Sequence, residues 1–164
     1  INTARANQLV KEALLANSIK EVNVSSAEFL KAEPKVEEGR LDFLVSSAES
    51  DQLTYIEVKS VTLLGNATSE KSEKNVGYFP DAVTSRGLKH IEVLMRLKAE
   101  GQRSILFFCV PHQGIQQVRV AEHVDPVYAN KLREAIKAGV EVLAYQVQFN
   151  DQGMELKSPL AMDI

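Results

Sequence analysis

The chain has one cysteine, no long apolar run and no strong charge of either sign. With Cys109 alone no intramolecular disulfide can form, which excludes the small disulfide-built secreted class. Lying inside the apolar run Ile105 to Val110, its thiol is expected as a small core residue in a reducing compartment, with the cytoplasm as the default. No apolar run approaches the roughly 20 residues that span a bilayer, so no membrane segment is expected. Ile1-Asn2-Thr3 offers neither an initiator methionine nor the apolar region of a signal peptide, and the chain is expected to begin partway along a longer protein. Repeats and low-complexity segments are absent. The net charge of -3 argues against wholesale attraction to phosphate, yet it permits a local basic patch beside an acidic metal site. What remains, 45% hydrophobic and 25% charged residues over 164 positions, is the profile of one compact domain able to bury a core.

Thr3 is placed to cap a helix to about Asn17, in which Ala6, Leu9, Val10, Ala13 and Leu14 repeat with the 3.6-residue period. Glu12 lies off the centre of that stripe. From Ser18 to Glu38 the pattern weakens: Ser25-Ser26-Ala27-Glu28 resembles a capping box, and Pro34 interrupts any helix. The reading is a loop or short helix, then an edge strand near Glu33 to Val36. Two strands, Arg40 to Val45 and Leu53 to Leu64, are joined by polar, turn-prone residues. Gly65 to Gly77 has almost no apolar residues, the pattern of a mobile functional loop. A second helix is expected from about Thr84 to Glu100, ended by Gly101, burying Leu88, Ile91, Leu94, Met95 and the stem of Lys98. Ser104 to Val110 is apolar without alternation, which marks a central strand covered on both faces. Asp125-Pro126 supply an N-cap and N1 proline for a helix to about Ala138, stopped by Gly139. Val140 to Phe149 and, after a turn, Met154 to Lys157 complete the strands. Strand, helix, strand after residue 104 makes a right-handed crossover between parallel strands. The whole order predicts an α/β fold with a mixed central sheet flanked by helices.

Within that frame two apolar strand-like runs carry charge where a buried strand should not. Gly39 to Val45 contains Asp42, and Tyr55 to Val61 contains Glu57 and Lys59. Residues i and i+2 share a face, so Glu57 and Lys59 project together, and a hairpin would bring Asp42 across from Glu57. Phosphodiester cleavage needs neutralised phosphoryl oxygens and an activated water. A hard cation, Mg²⁺ or Mn²⁺, held by carboxylate oxygens provides both. Asp42 and Glu57 can supply those oxygens, the carbonyl of Val58 can complete the shell, and Lys59 can orient the water or counter the developing charge. The same residues also admit a plain reading, a solvent-facing strand pair with Asp42 in a turn. On the second helix Arg86, Lys89 and His90 sit at i, i+3 and i+4, a basic face able to grip phosphate or simply to be solvated. His112 and His123 are isolated in loops and receive no role, while Tyr78 and Phe79 are expected to close the core.

An aspartate followed fifteen residues later by Glu-x-Lys resembles the PD-(D/E)XK nuclease pattern, although Leu41 stands where that pattern's name has proline. The pattern implies a restriction-endonuclease-like core of helix, strand meander, helix, strand. More closely, GRLDFLV, YIEVKSVTLL, FPDAVTSRGLKHI and GVEVLAYQV are similar, in order and over nearly the whole chain, to the C-terminal domain of the sugar fermentation stimulation protein A family. The resemblance implies that residues 1–164 form one nuclease-like domain, normally preceded by an OB-fold domain, with DNA as partner and a link to sugar catabolism. Carried over by residue, it makes Asp42 and Glu57 metal ligands and Lys59 the catalytic lysine. Glu12 on the first helix and Glu33 before the aspartate strand become additional acids, and Arg86, Lys89 and His90 become nucleic-acid contacts. Three functions remain in play: a metal-dependent nuclease, a DNA-binding regulator of sugar metabolism whose acidic site is unused, and a small-molecule hydrolase working through the same metal.

Overall fold

In the computed structural model, which describes residues 3–65 and 75–164, α1 spans Thr3–Leu15 and buries the expected stripe of Ala6, Leu9, Val10, Ala13 and Leu14. After a 3₁₀ turn at Ala27–Phe29 come β1 (Leu30–Ala32), the short strands β2 (Lys35–Val36) and β3 (Gly39–Arg40), β4 (Phe43–Val45), β5 (Thr54–Ser60) and β6 (Leu63–Leu64). Then follow β7 (Val76–Phe79), α2 (Ser85–Ala99), β8 (Arg103–Val110), β9 (Gln117–Val120), α3 (Pro126–Lys137), β10 (Glu141–Asn150), β11 (Gly153–Pro159) and β12 (Ala161–Asp163). Six strands form the central sheet in the order β1-β4-β5-β8-β10-β11. It is mixed: β8 is parallel to β5 and β10, whereas β1–β4, β4–β5 and β10–β11 are antiparallel.

Because β8 has strands on both sides and helices on both faces, its residues alternate between two cores. Ile105, Phe107 and Cys109 join the apolar cluster built with α1, while Leu106, Phe108 and Val110 join the one built with α2 and α3. This double cover is why the run shows no polar alternation. Burial pushes the Cys109 thiol up to about 12, so it is an inert core group. The two later helices start as their caps dictate. Thr84 Oγ1 accepts from Gly87 N–H at 2.8 Å, and Asp125 Oδ1 accepts from Tyr128 N–H at 3.0 Å. Asp125 Oδ2 also accepts from Thr84 N–H at 3.1 Å, tying the two helix starts together.

Several expectations need correction. The edge strand is Leu30–Ala32, not Glu33 to Val36: Glu33 adopts a positive φ of 53° beside Pro34, which breaks the strand, and among the described residues β2 pairs only with β3. The strand expected from Leu53 to Leu64 divides, and β6 joins a second sheet ordered β12-β9-β7-β6 that was not foreseen. In that sheet Phe79 closes the core, with its ring against Phe108 and Tyr128, while Tyr78 meets the ring of His123 edge-on. The buried stripe of α2 is Gly87, Ile91, Val93, Leu94 and Leu97, rotated from the expected one. Gly87 sets this rotation: a Cβ there would lie 2.8 Å from Thr84 and 3.2 Å from the Tyr128 ring, so only glycine lets α2 close on α3. Most of the loop expected at Gly65 to Gly77 lies outside the described residues.

Candidate functional site

The register pairs Phe43, the first residue of β4, with Ile56, so among the described residues β5 from Glu57 onward has β8 as its only strand neighbour. Continued by one step, the register sets Asp42 opposite Glu57. The edge amide of Val58, which a longer β4 would face, donates instead to Asp42 Oδ2 at 2.7 Å. A buried N–H needs an acceptor, and an aspartate at the point where the strand begins supplies it. From α1, Asn7 Nδ2 donates to Asp42 Oδ1 at 2.8 Å. The backbone of Asp42 is held as well: its N–H donates to the Ile56 carbonyl at 3.2 Å, and its carbonyl accepts from Glu33 N–H at 2.9 Å. On the face of β5 turned towards α2, Lys59 Nζ lies 3.1 Å from Glu57 Oε2. His90 Nδ1 meets that same oxygen and lies 2.8 Å from Lys59 Nζ. A hollow of about 350 Å³ opens in front of these groups, lined among others by Asn7, Asp42, Glu57, Lys59, Arg86 and His90.

Glu57 is only 3% exposed, so its charge must be answered locally. Burial, reinforced by the hydrogen bond to Glu57 and by its charge, pushes the Asp42 carboxyl up to about 7, against the opposing N–H bonds from Val58 and Asn7. Burial acts on Glu57 in the same direction, but the bonds to His90 and Asp42 and the charges of Lys59 and His90 outweigh it and hold the group at about 2. The two shifts have opposite directions, so of the pair Asp42 is the carboxyl that takes up a proton first. Two facing carboxyls that keep a proton to limit their repulsion are a donor set that a hard divalent cation satisfies in the proton's place. Asn7 Oδ1 is buried beside them without a hydrogen-bond partner, a further oxygen of the type such a cation takes. Among the described residues no three His, Cys, Asp or Glu side chains group as ligands. A third protein oxygen would thus come from the Asn7 amide or the Val58 carbonyl, and with that addition the residues fit the ion.

The comparisons with known proteins agree with this architecture. The family model described as the sugar fermentation stimulation protein RE domain matches residues 4–153. This chain belongs to the sugar fermentation stimulation protein family. A sugar fermentation stimulation protein homolog of Pseudoalteromonas atlantica is 44% identical over 164 residues, covering 99% of this chain and 65% of that relative. The solved structure of Pyrococcus furiosus SfsA in complex with Ca²⁺ superposes with a TM-score of 0.82 at 26% identity, covering 100% of this chain and 66% of that one. The chain thus spans just under two thirds of the length of both. The fold is the restriction-endonuclease-like one.

Of the site residues expected from the sequence, Asp42, Glu57, Val58 and Lys59 meet at one hollow. Arg86 lines that hollow and its neighbour, while Lys89 lines only the neighbour. His90 parts from both. Expected on an exposed basic face, it continues the buried Val93, Leu94 and Leu97 stripe one turn earlier and turns in to Glu57. Glu12 is not in the site: it is exposed, accepts from Gln8 Nε2 at 3.0 Å and borders a different hollow with Ser18 and Glu155. Glu33 is exposed and lines a hollow beside Lys31 and Arg40, touching Asp42 only through its backbone N–H. The residue that α1 does contribute, Asn7, was missed. Its signal is an asparagine, a poor helix former, one position beyond a buried alanine in an otherwise regular helix.

Proposed function

We propose that this domain is a divalent-metal-dependent phosphodiester hydrolase acting on DNA. The observation that carries the reading is the meeting of the Asp42 and Glu57 carboxyls and the unpartnered Asn7 Oδ1 at one hollow, with Lys59 Nζ 3.1 Å from Glu57 Oε2. The Ca²⁺ complex of the P. furiosus relative supports a divalent ion in a fold of this kind. Asp42, Glu57 and Asn7 Oδ1 are the groups that would hold the ion, with the Val58 carbonyl as a further oxygen. An ion bound there supplies charge neutralisation for the phosphoryl oxygens and a water acidic enough to attack near neutral pH.

The chain's own residues do the rest. Asn7 and the Val58 N–H hold Asp42 in one orientation, so the site is formed before substrate arrives. A carboxylate only accepts hydrogen bonds, so His90 Nδ1 carries a proton where it meets Glu57 Oε2 and has no lone pair left for Lys59. The His90 Nδ1 proton is thus committed to Glu57, whereas the Lys59 ammonium keeps N–H groups beyond the one facing Glu57 to offer where negative charge would build on the transferring group. Lys59 would also orient the attacking water. Cleavage of plasmid and single-stranded DNA in Mg²⁺ or Mn²⁺, with a chelator control, tests this reading. Lys59→Ala should lose about 10²–10³-fold in rate, the usual effect of removing one donor to developing charge, while calorimetry shows its Mn²⁺ binding unchanged. Asp42→Ala should lose both. Mn²⁺ binding without cleavage of any strand would favour the regulator reading, and absent Mn²⁺ binding would remove the metal site.

A further inference from the structure

Of the chain's seven arginines, Arg96, Arg103, Arg119 and Arg133 are ion-paired to carboxylates, and Arg5 has partners of its own. Arg40 and Arg86 alone have no ion-pair or hydrogen-bond partner among the described residues, although both are exposed and the chain is acidic overall. Both line one hollow of about 320 Å³ between the β2–β3 hairpin and α2, together with Lys89. Through Arg86 and His90 this hollow adjoins the one that holds Asp42 and Glu57. On its other side it adjoins, through Arg40, a third hollow of about 480 Å³ that carries Lys31 and Lys35.

Among the described residues none of the five cations forms an ion pair, whereas Glu38, the one acid of the middle hollow, is held by Arg96 at 3.0 and 2.8 Å. Among the described residues Glu33 is the one acid lining the outer hollow. A trail of unanswered positive charge thus runs from the acidic site across a two-stranded hairpin that is absent from the central sheet. Unpaired cations in linked concavities suit a ligand that repeats a single negative charge along its length, which a phosphodiester backbone does.

Resting on the nuclease reading above, we propose that a nucleic-acid strand leaves the Asp42–Glu57 hollow past Arg86 and Lys89 and crosses Arg40 onto Lys31 and Lys35. The β2–β3 hairpin is then a backbone clamp, and Arg40 is its central contact. These contacts touch phosphates rather than bases, so the track holds strands of any sequence.

Fluorescence anisotropy in chelator, with labelled single-stranded and duplex oligonucleotides of one sequence, tests the track without cleavage. Arg40→Ala should weaken binding several-fold and flatten the dependence of log affinity on log salt by about 0.7–0.9. Lys31→Ala/Lys35→Ala should flatten it by about twice that, in whichever arm binds. Arg133→Ala, which removes a cation on α3 paired to Glu122, should change neither quantity, and Mn²⁺ calorimetry should be unaltered in all the variants. All these side chains are exposed or half-buried surface groups, and circular dichroism checks their folds. If the Arg40 variant and the Lys31/Lys35 variant both keep parental affinity and slope while Arg86→Ala loses them, the track is wrong and the nuclease reading stands. If the parent binds neither oligonucleotide at low salt, the track falls together with nucleic acid as the substrate, and the Mn²⁺ titration reports separately on the metal site.

Discussion

β5 and β8 are adjacent parallel strands in one sheet, yet β8 is apolar from Ile105 to Val110 while β5 carries an acid and a lysine in the same register. Glu57 pairs with Leu106 and Lys59 with Phe108. The difference lies in their neighbours. β8 has β5 and β10 on its two edges and helices on both faces, so a charge at Leu106 would have neither water nor a partner. Among the described residues β5 loses its second strand neighbour beyond Ile56, because β4 begins only at Phe43. Its uncovered edge admits Asp42, a hollow and, through α2, His90. A buried charge is tolerated where the sheet has been left incomplete, and the candidate site sits in that gap.

The comparison breaks most visibly if the charge is moved one strand over. Leu106→Glu would place an unpaired acid beside Glu57 under full cover and should cost about 4 kcal/mol or more, read as a collapse of the urea midpoint or loss of folded protein. A loss within about 1 kcal/mol would show that strand cover is not what excludes charge from β8.

The second effect is a pH dependence of the metal-free protein. The folded state keeps the Asp42 proton up to about 7, whereas its ordinary value is 3.8, so the stability this contributes is complete below 3.8 and is lost as pH rises through about 7. Glu57 has the opposite sign: held at about 2 against an ordinary 4.5, it contributes stability above 4.5 that is lost as pH falls towards 2. Chemical denaturation in chelator at about pH 4.5, 6 and 8 should therefore show declining stability, and Asp42→Asn should flatten that decline. A decline of the same size in Asp42→Asn would place the titrating proton elsewhere.

The smallest effects separate two residues of α1. Asn7→Ala should weaken Mn²⁺ binding by about 10–100-fold, since it orients a ligand carboxylate and offers an oxygen. Glu12→Ala should leave Mn²⁺ binding untouched and shift stability by no more than about 0.5 kcal/mol. Reversal of that order would return the acid of α1 to the site.

Much of the site was legible because Asp42, Glu57 and Lys59 break local patterns: each is a charge inside an apolar run, and the period of two puts Glu57 and Lys59 on one face. The hairpin register that sets Asp42 opposite Glu57 follows from two strands close in sequence. His90 was readable in part, since it stands three and four residues before the buried Val93 and Leu94, but its basic neighbours Arg86 and Lys89 gave the stretch a solvated look.

What depends on near neighbours could be read from the sequence: the period of α1, the Asp125-Pro126 start of α3, the apolar run Ile105 to Val110 of β8 and the acid-lysine spacing of β5. Those signals are local because helix hydrogen bonds, caps and strand faces are set within a few residues. Only the tertiary structure decided the second sheet, where β9 pairs with β7 from some forty residues earlier and with β12 from as far beyond. It alone decided the turn of α2, fixed by the bare Cα of Gly87 against Tyr128. It also brought Asn7 to Asp42 across 35 positions and His90 to Lys59 across 31. Such contacts are chosen by which faces pack together, and no window of sequence contains both partners.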